Sequence, residues 1–175
     1  MHLLDFPELQ QAYEYDCGAS ALRSVLEYYG IEFLEGELIR ALGTSKKTGT
    51  SIERILKVIK KHALKCDSRP MSPSELRDYI AKGIPVILLL QAWSDRKGAD
   101  YSTDQRDGHY AVAIGYDGSH IVFEDPYANV RTKLTDEELV ERWHGQDKKQ
   151  PIQNHGIAVY GKKSVFKQHR IIKME

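Results

Sequence analysis

The sequence predicts an α+β fold in which N-terminal helices pack on a mostly antiparallel β-sheet. Three observations predict it. In the first half, apolar residues recur at helical spacing, as in Leu22, Val25, Leu26 and Tyr29. The second half holds strand-like runs, above all "IPVILLL" at 84–90 and the hairpin-like "HYAVAIGYDGSHIVFED" at 109–125. Helices lead and strands follow, whereas a parallel α/β sheet would alternate them.

The first helix is expected from Cys17 to Tyr29, with Asp16 as N-cap and Gly30 where the helix ends. A short helix covers 35–42 and stops at Gly43, followed by the polar loop "TSKKTGT". A third helix starts near Ser51 with Ile52, Ile55, Leu56 and Ile59 on one face. "LKCDSRP" reads as a short strand holding Cys66 as a packed core thiol. "SPSEL" opens a helix with Pro73 in its first turn, ending at Gly83.

"IPVILLLQAW" reads as a strand buried on both faces. Residues 94–108 are polar and irregular, a lid, a specificity loop or a plain surface loop. The hairpin follows, turning at Asp117 and Gly118. "TDEELVERW" is a helix with a capping box from Thr135 to Glu138, and strands are expected through "GIAVYGKKSVFKQHRIIKM".

A chain of 175 residues with 41% hydrophobic and 29% charged residues is enough for one globular domain, taken as 1–175. Lys plus Arg and Asp plus Glu are both 25, so the balance carries no basic excess and no nucleic-acid partner is expected. With only Cys17 and Cys66, a disulfide scaffold is not expected and a reducing compartment is the default. The start "MHLLDFPELQ" carries Asp5 and Glu8 and does not read as a signal peptide. The longest apolar run is too short to span a bilayer. A cytoplasmic location without membrane insertion is the expectation.

"GTSKKTGTS" lacks the lysine after Gly49 that a phosphate loop uses on the terminal phosphates, so it reads as a solvated loop. His2, His62, His109, His120, His144, His155 and His169 show no zinc spacing, and no metal or organic cofactor is expected.

Cys17 stands where a thiol is most easily made reactive. The first-turn N–H groups and the helix dipole favour a thiolate there, and Gly18 behind it is expected to keep the approach open to a substrate. The bland reading is a small packed residue. A cysteine nucleophile needs a base and an orienting group. The hairpin supplies both, because His109 opens its first strand and Asp125 closes its second. A three-residue loop at Tyr116, Asp117 and Gly118 would set the two directly opposite on one face. A two-residue turn would put them on opposite faces, so the catalytic reading predicts the three-residue loop.

Gln11, "YDCGASAL", "GHYAVAIGYDG" and "FEDPY" together resemble cysteine-peptidase family thirty-nine, the double-glycine leader peptidases of the papain-like clan. The resemblance spans roughly residues 9–145. It implies a papain-like fold with Cys17 as nucleophile, His109 as general base and acid, and Asp125 as orienting carboxylate. It also implies Gln11 as side-chain donor of an oxyanion hole completed by the Cys17 N–H. Gln10 is a near rival for Gln11, and His155, before another strand, is a rival for His109.

The implied partner is a peptide or protein substrate, cleaved after Gly-Gly in a leader peptide. Members of this family are often fused to a transporter, which implies association with a membrane transporter. The alternatives are an amidase, isopeptidase or acyl transferase through the same thioester, a non-catalytic peptide-binding domain, or a fold without thiol function.

Overall fold

The computed structural model describes residues 1–128 and 130–168. Its element order is β1 (His2–Leu3), α1 (Cys17–Tyr28), α2 (Glu35–Leu42), α3 (Ile52–Lys61), β2 (Lys65–Pro70), α4 (Pro73–Ala81), β3 (Val86–Gln91), β4 (Gly108–Asp117), β5 (His120–Glu124), β6 (Thr132–Thr135), α5 (Asp136–Arg142), β7 (His144–Asp147), β8 (Gln150–Gln153) and β9 (His155–Tyr160). One antiparallel sheet runs β2-β9-β3-β4-β5-β6, and β1 pairs with the far end of β4. β7 and β8 form a separate hairpin. The α+β fold with a mostly antiparallel sheet is the one the sequence predicts.

The two faces of the sheet follow from strand alternation. Ile87, Leu89, Tyr110, Val112 and Ile114 pack with α1, α2 and α3 in one core. Val86, Leu88, Leu90, Ala111 and Ala113 face Leu76 and Ile80 of α4 and Leu139 of α5 in a second. β3 is buried along its whole length because it is covered on both sides.

The helix boundaries follow local chemistry. Gly43 closes α2 at φ 59°, a left-handed position that favours glycine. Capping boxes start α4 at Ser72–Glu75 and α5 at Thr135–Glu138. Two local expectations are corrected. Asp16 occupies the N-cap position of α1 but makes no side-chain cap, because its carboxyl turns back to the preceding loop. After β9, residues 161–168 run without a strand, and the rest of the expected C-terminal strand, with His169, lies outside the described residues.

Among the described residues, no helix is long and apolar enough to cross a membrane. Cys17 and Cys66 are both free thiols.

Candidate active site

The N-terminus of α1 presents Cys17, which is partly exposed. The first turn of α1 presses directly on the sheet. A Cβ at Gly18 would lie 2.7 Å from Thr50 Cβ and 2.9 Å from Tyr110 Cδ2. Gly18 is buried, so its missing side chain serves helix-to-sheet packing and not the substrate access expected of it. Tyr110, next to His109, donates its hydroxyl to Thr50 O at 3.0 Å and locks that contact.

His109 and Asp125 meet at the sheet end. His109 Nε2 donates to Asp125 Oδ1 at 2.7 Å, and both residues are buried. Their route to one another differs from the expected one. The turn is the two-residue Gly118–Ser119, since Asp117 pairs with His120. That register alone would place His109 and Asp125 on opposite faces. Between Ala113 and Gly115 the register shifts, so Ile114 is one extra residue on β4. This β-bulge returns both side chains to one face, diagonal to each other and not directly opposed.

Asp125 is held from four directions. Oδ1 also accepts the Tyr127 N–H at 3.0 Å, while Oδ2 accepts the Trp93 indole N–H at 3.0 Å and the Thr132 hydroxyl at 3.3 Å. Burial pushes the carboxyl up, but hydrogen bonds and the charge of His109 outweigh it and hold Asp125 below the usual carboxylate range. Burial likewise pulls His109 down, yet hydrogen bonds to Asp125 and Cys17 and their charges raise it to about 9. With Nε2 committed to Asp125, Nδ1 is the ring nitrogen left for Cys17.

Trp93, Thr132 and Tyr127 were not among the sequence candidates. Trp93 stands at φ 60°, an unusual backbone position for a bulky residue, and its ring stacks on Tyr127 at 4.8 Å. The only sequence signal for Trp93 was an aromatic residue closing the buried run "IPVILLLQAW". Thr132 lies on the next strand and gave no signal.

Gln11 lies beside the same sheet end. Its N–H donates to Pro126 O at 2.8 Å, which ties its backbone to the residue after Asp125. Its Nε2 donates to Tyr13 O at 2.7 Å, which leaves a second amide hydrogen free. Upstream, the partly exposed Arg131 and the buried Glu124 form an ion pair that fixes this segment. Arg131 donates to Phe6 O at 2.6 Å and Pro7 O at 3.1 Å, and Glu124 Oε1 accepts the Leu9 N–H at 2.7 Å. Gln10 is exposed.

His155 is elsewhere. It opens β9, two strands from β4, and its Nε2 pairs with Ser68 Oγ at 2.9 Å. Burial pulls its pKa down. Cys66 sits in β2, half-buried, and burial pushes its thiol up.

Two hollows flank the site. An open groove of about 900 Å³ is lined by Gln10, Gln11, Tyr13, Tyr15, Lys46 and Tyr127. A tighter cavity of about 320 Å³, lined by Trp93, Tyr101, Ala111 and Phe123 among others, backs onto His109 and Asp125. The segment 94–107 closes over that side. Arg96 pairs with Asp104 and Asp107, Arg142 lies 4.1 Å over the Tyr101 ring, and His144 Nε2 donates to Tyr101 O at 2.8 Å. The residues described offer no cluster of His, Cys, Asp or Glu fit for a metal ion.

The fold is shared with known structures. The peptidase domain of Streptococcus ComA, a bi-functional ABC transporter involved in quorum sensing, is 23% identical with a TM-score of 0.66, over 93% of this chain and 100% of that one. A double glycine motif protease from an AMS/PCAT transporter, solved with the leader peptide, is 19% identical with a TM-score of 0.65, over 90% and 93%. A C39-like protein from Bacillus anthracis is 18% identical with a TM-score of 0.67, over 91% and 96%. These likenesses show the papain-like peptidase fold. No curated protein matches the chain. The family model of the Peptidase C39 family matches residues 5–146, and the chain belongs to that family of cysteine peptidases.

Proposed function

We propose that the protein cleaves a peptide bond after a Gly-Gly pair through a thioester on Cys17. Cys17 gives its proton to His109 and attacks the scissile carbonyl carbon. The oxyanion is received by the free amide hydrogen of Gln11 and the Cys17 N–H, and one such donor is typically worth about 3 kcal/mol. His109 returns the proton to the leaving amine. Water, deprotonated by His109, then hydrolyses the thioester and restores the thiol. Asp125 fixes the ring so that Nδ1 faces the sulfur throughout.

The observation that carries this reading is the position of His109, which bonds Asp125 through Nε2 at 2.7 Å and whose pKa is raised by both Asp125 and Cys17. A His109 held at about 9 is protonated when the thiolate needs a partner. Family membership and the double glycine motif protease of similar fold support the Gly-Gly preference and a leader-peptide substrate. By the same argument the protein works on the cytoplasmic side, beside a transporter.

Incubation with a leader peptide ending in Gly-Gly, and with its Ala-Ala counterpart, tests this by mass spectrometry of the products. Cleavage after Gly-Gly, absent in Cys17→Ala, is expected. Retained cleavage in Cys17→Ala, or transfer of the acyl group to an added amine with no hydrolysis, contradicts it.

A further inference from the structure

Asp16 precedes Cys17 and has no role in the chemistry above. It is 0% exposed, and its Oδ2 is enclosed without an N–H or O–H to accept. Its Oδ1 accepts the Tyr13 N–H at 3.2 Å. The carboxyl of Glu35, at the start of α2, stands within hydrogen-bonding reach of it. Two carboxylates cannot bond to each other without a proton between them, and an enclosed, unpaired anion is costly.

Glu35 is the better place for the remaining charge. Ser20 Oγ donates to its Oε1 at 2.6 Å, Arg23 Nη1 lies 3.8 Å from its Oε2, and its side chain is 18% exposed. We propose that Asp16 is an uncharged carboxylic acid at neutral pH, donating its proton to Glu35, and that it is a positioning residue for the oxyanion donor. The enclosed oxygen that lacks a donor is then the one that carries the hydrogen.

The consequence runs along the loop. Glu35 holds Asp16, Asp16 holds the Tyr13 N–H, and Tyr13 O holds the amide of Gln11 at 2.7 Å. A neutral Asp16 also keeps a second negative charge out of the first turn, where the Cys17 thiolate forms. The groups acting on Asp16 agree. Burial raises it, the N–H groups of Tyr13 and Ala12 lower it, and the charge of Glu35 raises it, for a net upward shift. Loss of the proton would set two carboxylates against each other and release the loop.

The inference rests on the proposed roles of Gln11 and Cys17, but its first test does not. In the full chain labelled with carboxyl-¹³C aspartate, the Asp16 signal, assigned with Asp16→Asn, should keep its protonated position well above the range in which ordinary aspartates ionise. Titration near pH 4 like an ordinary aspartate overturns the proposal. Asp16→Ala should lower kcat/KM by about tenfold or more with KM little changed, and Asp16→Asn, which keeps both hydrogen bonds, should restore most of it. An Asn variant as impaired as the Ala variant overturns the positioning role. If Asp16→Ala does not fold, the wild-type titration still decides. A wild type that cleaves nothing would sink the peptidase reading and leave that titration standing.

Discussion

His109 and Asp125 share one face of the sheet because Ile114 is an extra residue in β4, and their side chains meet at 2.7 Å. This diagonal pair organises the sheet end. Asp125 draws in Trp93 from the end of β3, Tyr127 from the turn after β5 and Thr132 from β6. Its neighbour Glu124, pointing to the other face, anchors the segment that carries Gln11.

The pair makes stability depend on pH in a defined window. His109 is raised from 6.5 to about 9, so its contribution is complete below about 6.5 and is lost as pH rises through about 9. Asp125 is lowered from 3.8, so its contribution is present above 3.8 and is lost as pH falls through the depressed value. Asp125→Asn should therefore cost most between about pH 4 and 6.5 and progressively less towards pH 9.5. Urea unfolding of both proteins at about pH 5 and about pH 9.5 checks this. An equal or larger gap at the higher pH would contradict it.

Trp93→Phe keeps an aromatic ring against Tyr127 and removes only the indole N–H from Asp125. A hydrogen bond to a charged group is worth about 1.5–3 kcal/mol, so kcat should fall by about tenfold or more while KM changes little. Steady-state kinetics on a Gly-Gly peptide measures the split. An effect confined to KM would place Trp93 in substrate binding instead.

The Glu124–Arg131 pair should behave as a clamp built on a buried carboxylate. Arg131→Met leaves Glu124 charged and enclosed and frees the carbonyls of Phe6 and Pro7, at a cost of about 3–5 kcal/mol. The double variant with Glu124→Gln should be less destabilised than the sum of the single ones. Denaturant unfolding of the four proteins gives the coupling. Strict additivity would mean that the two side chains do not work as a pair.

Much of this architecture was legible before any coordinates. Periodicity marked α1 and α3, Gly43 marked the end of α2, Pro73 marked the start of α4 and a capping box that of α5, because these signals are local. The hairpin was legible too, but its path was not. Nothing in "VAIGYDG" announces a bulge, since Ile114 is an ordinary strand residue. Its place is set by pairing on both sides of β4, with β3 and β1 on one edge and β5 on the other. The short hairpin of β7 and β8 also went unread, because "HGQD" and "QPIQ" lack strand composition. Gly18 shows the limit most clearly, since its neighbours Thr50 and Tyr110 are remote in sequence and only the fold brings them there.

The central claim is that Cys17 works as a pair with His109, and the rate of thiol alkylation tests it most directly. Iodoacetamide at neutral pH, read by mass spectrometry, reports Cys17 and Cys66 separately in one sample. Cys17 should react at least about tenfold faster than Cys66, whose thiol burial pushes up, and His109→Ala should erase most of that advantage. Equal, slow labelling of both thiols in the wild type, or a Cys17 rate indifferent to His109, would contradict the account.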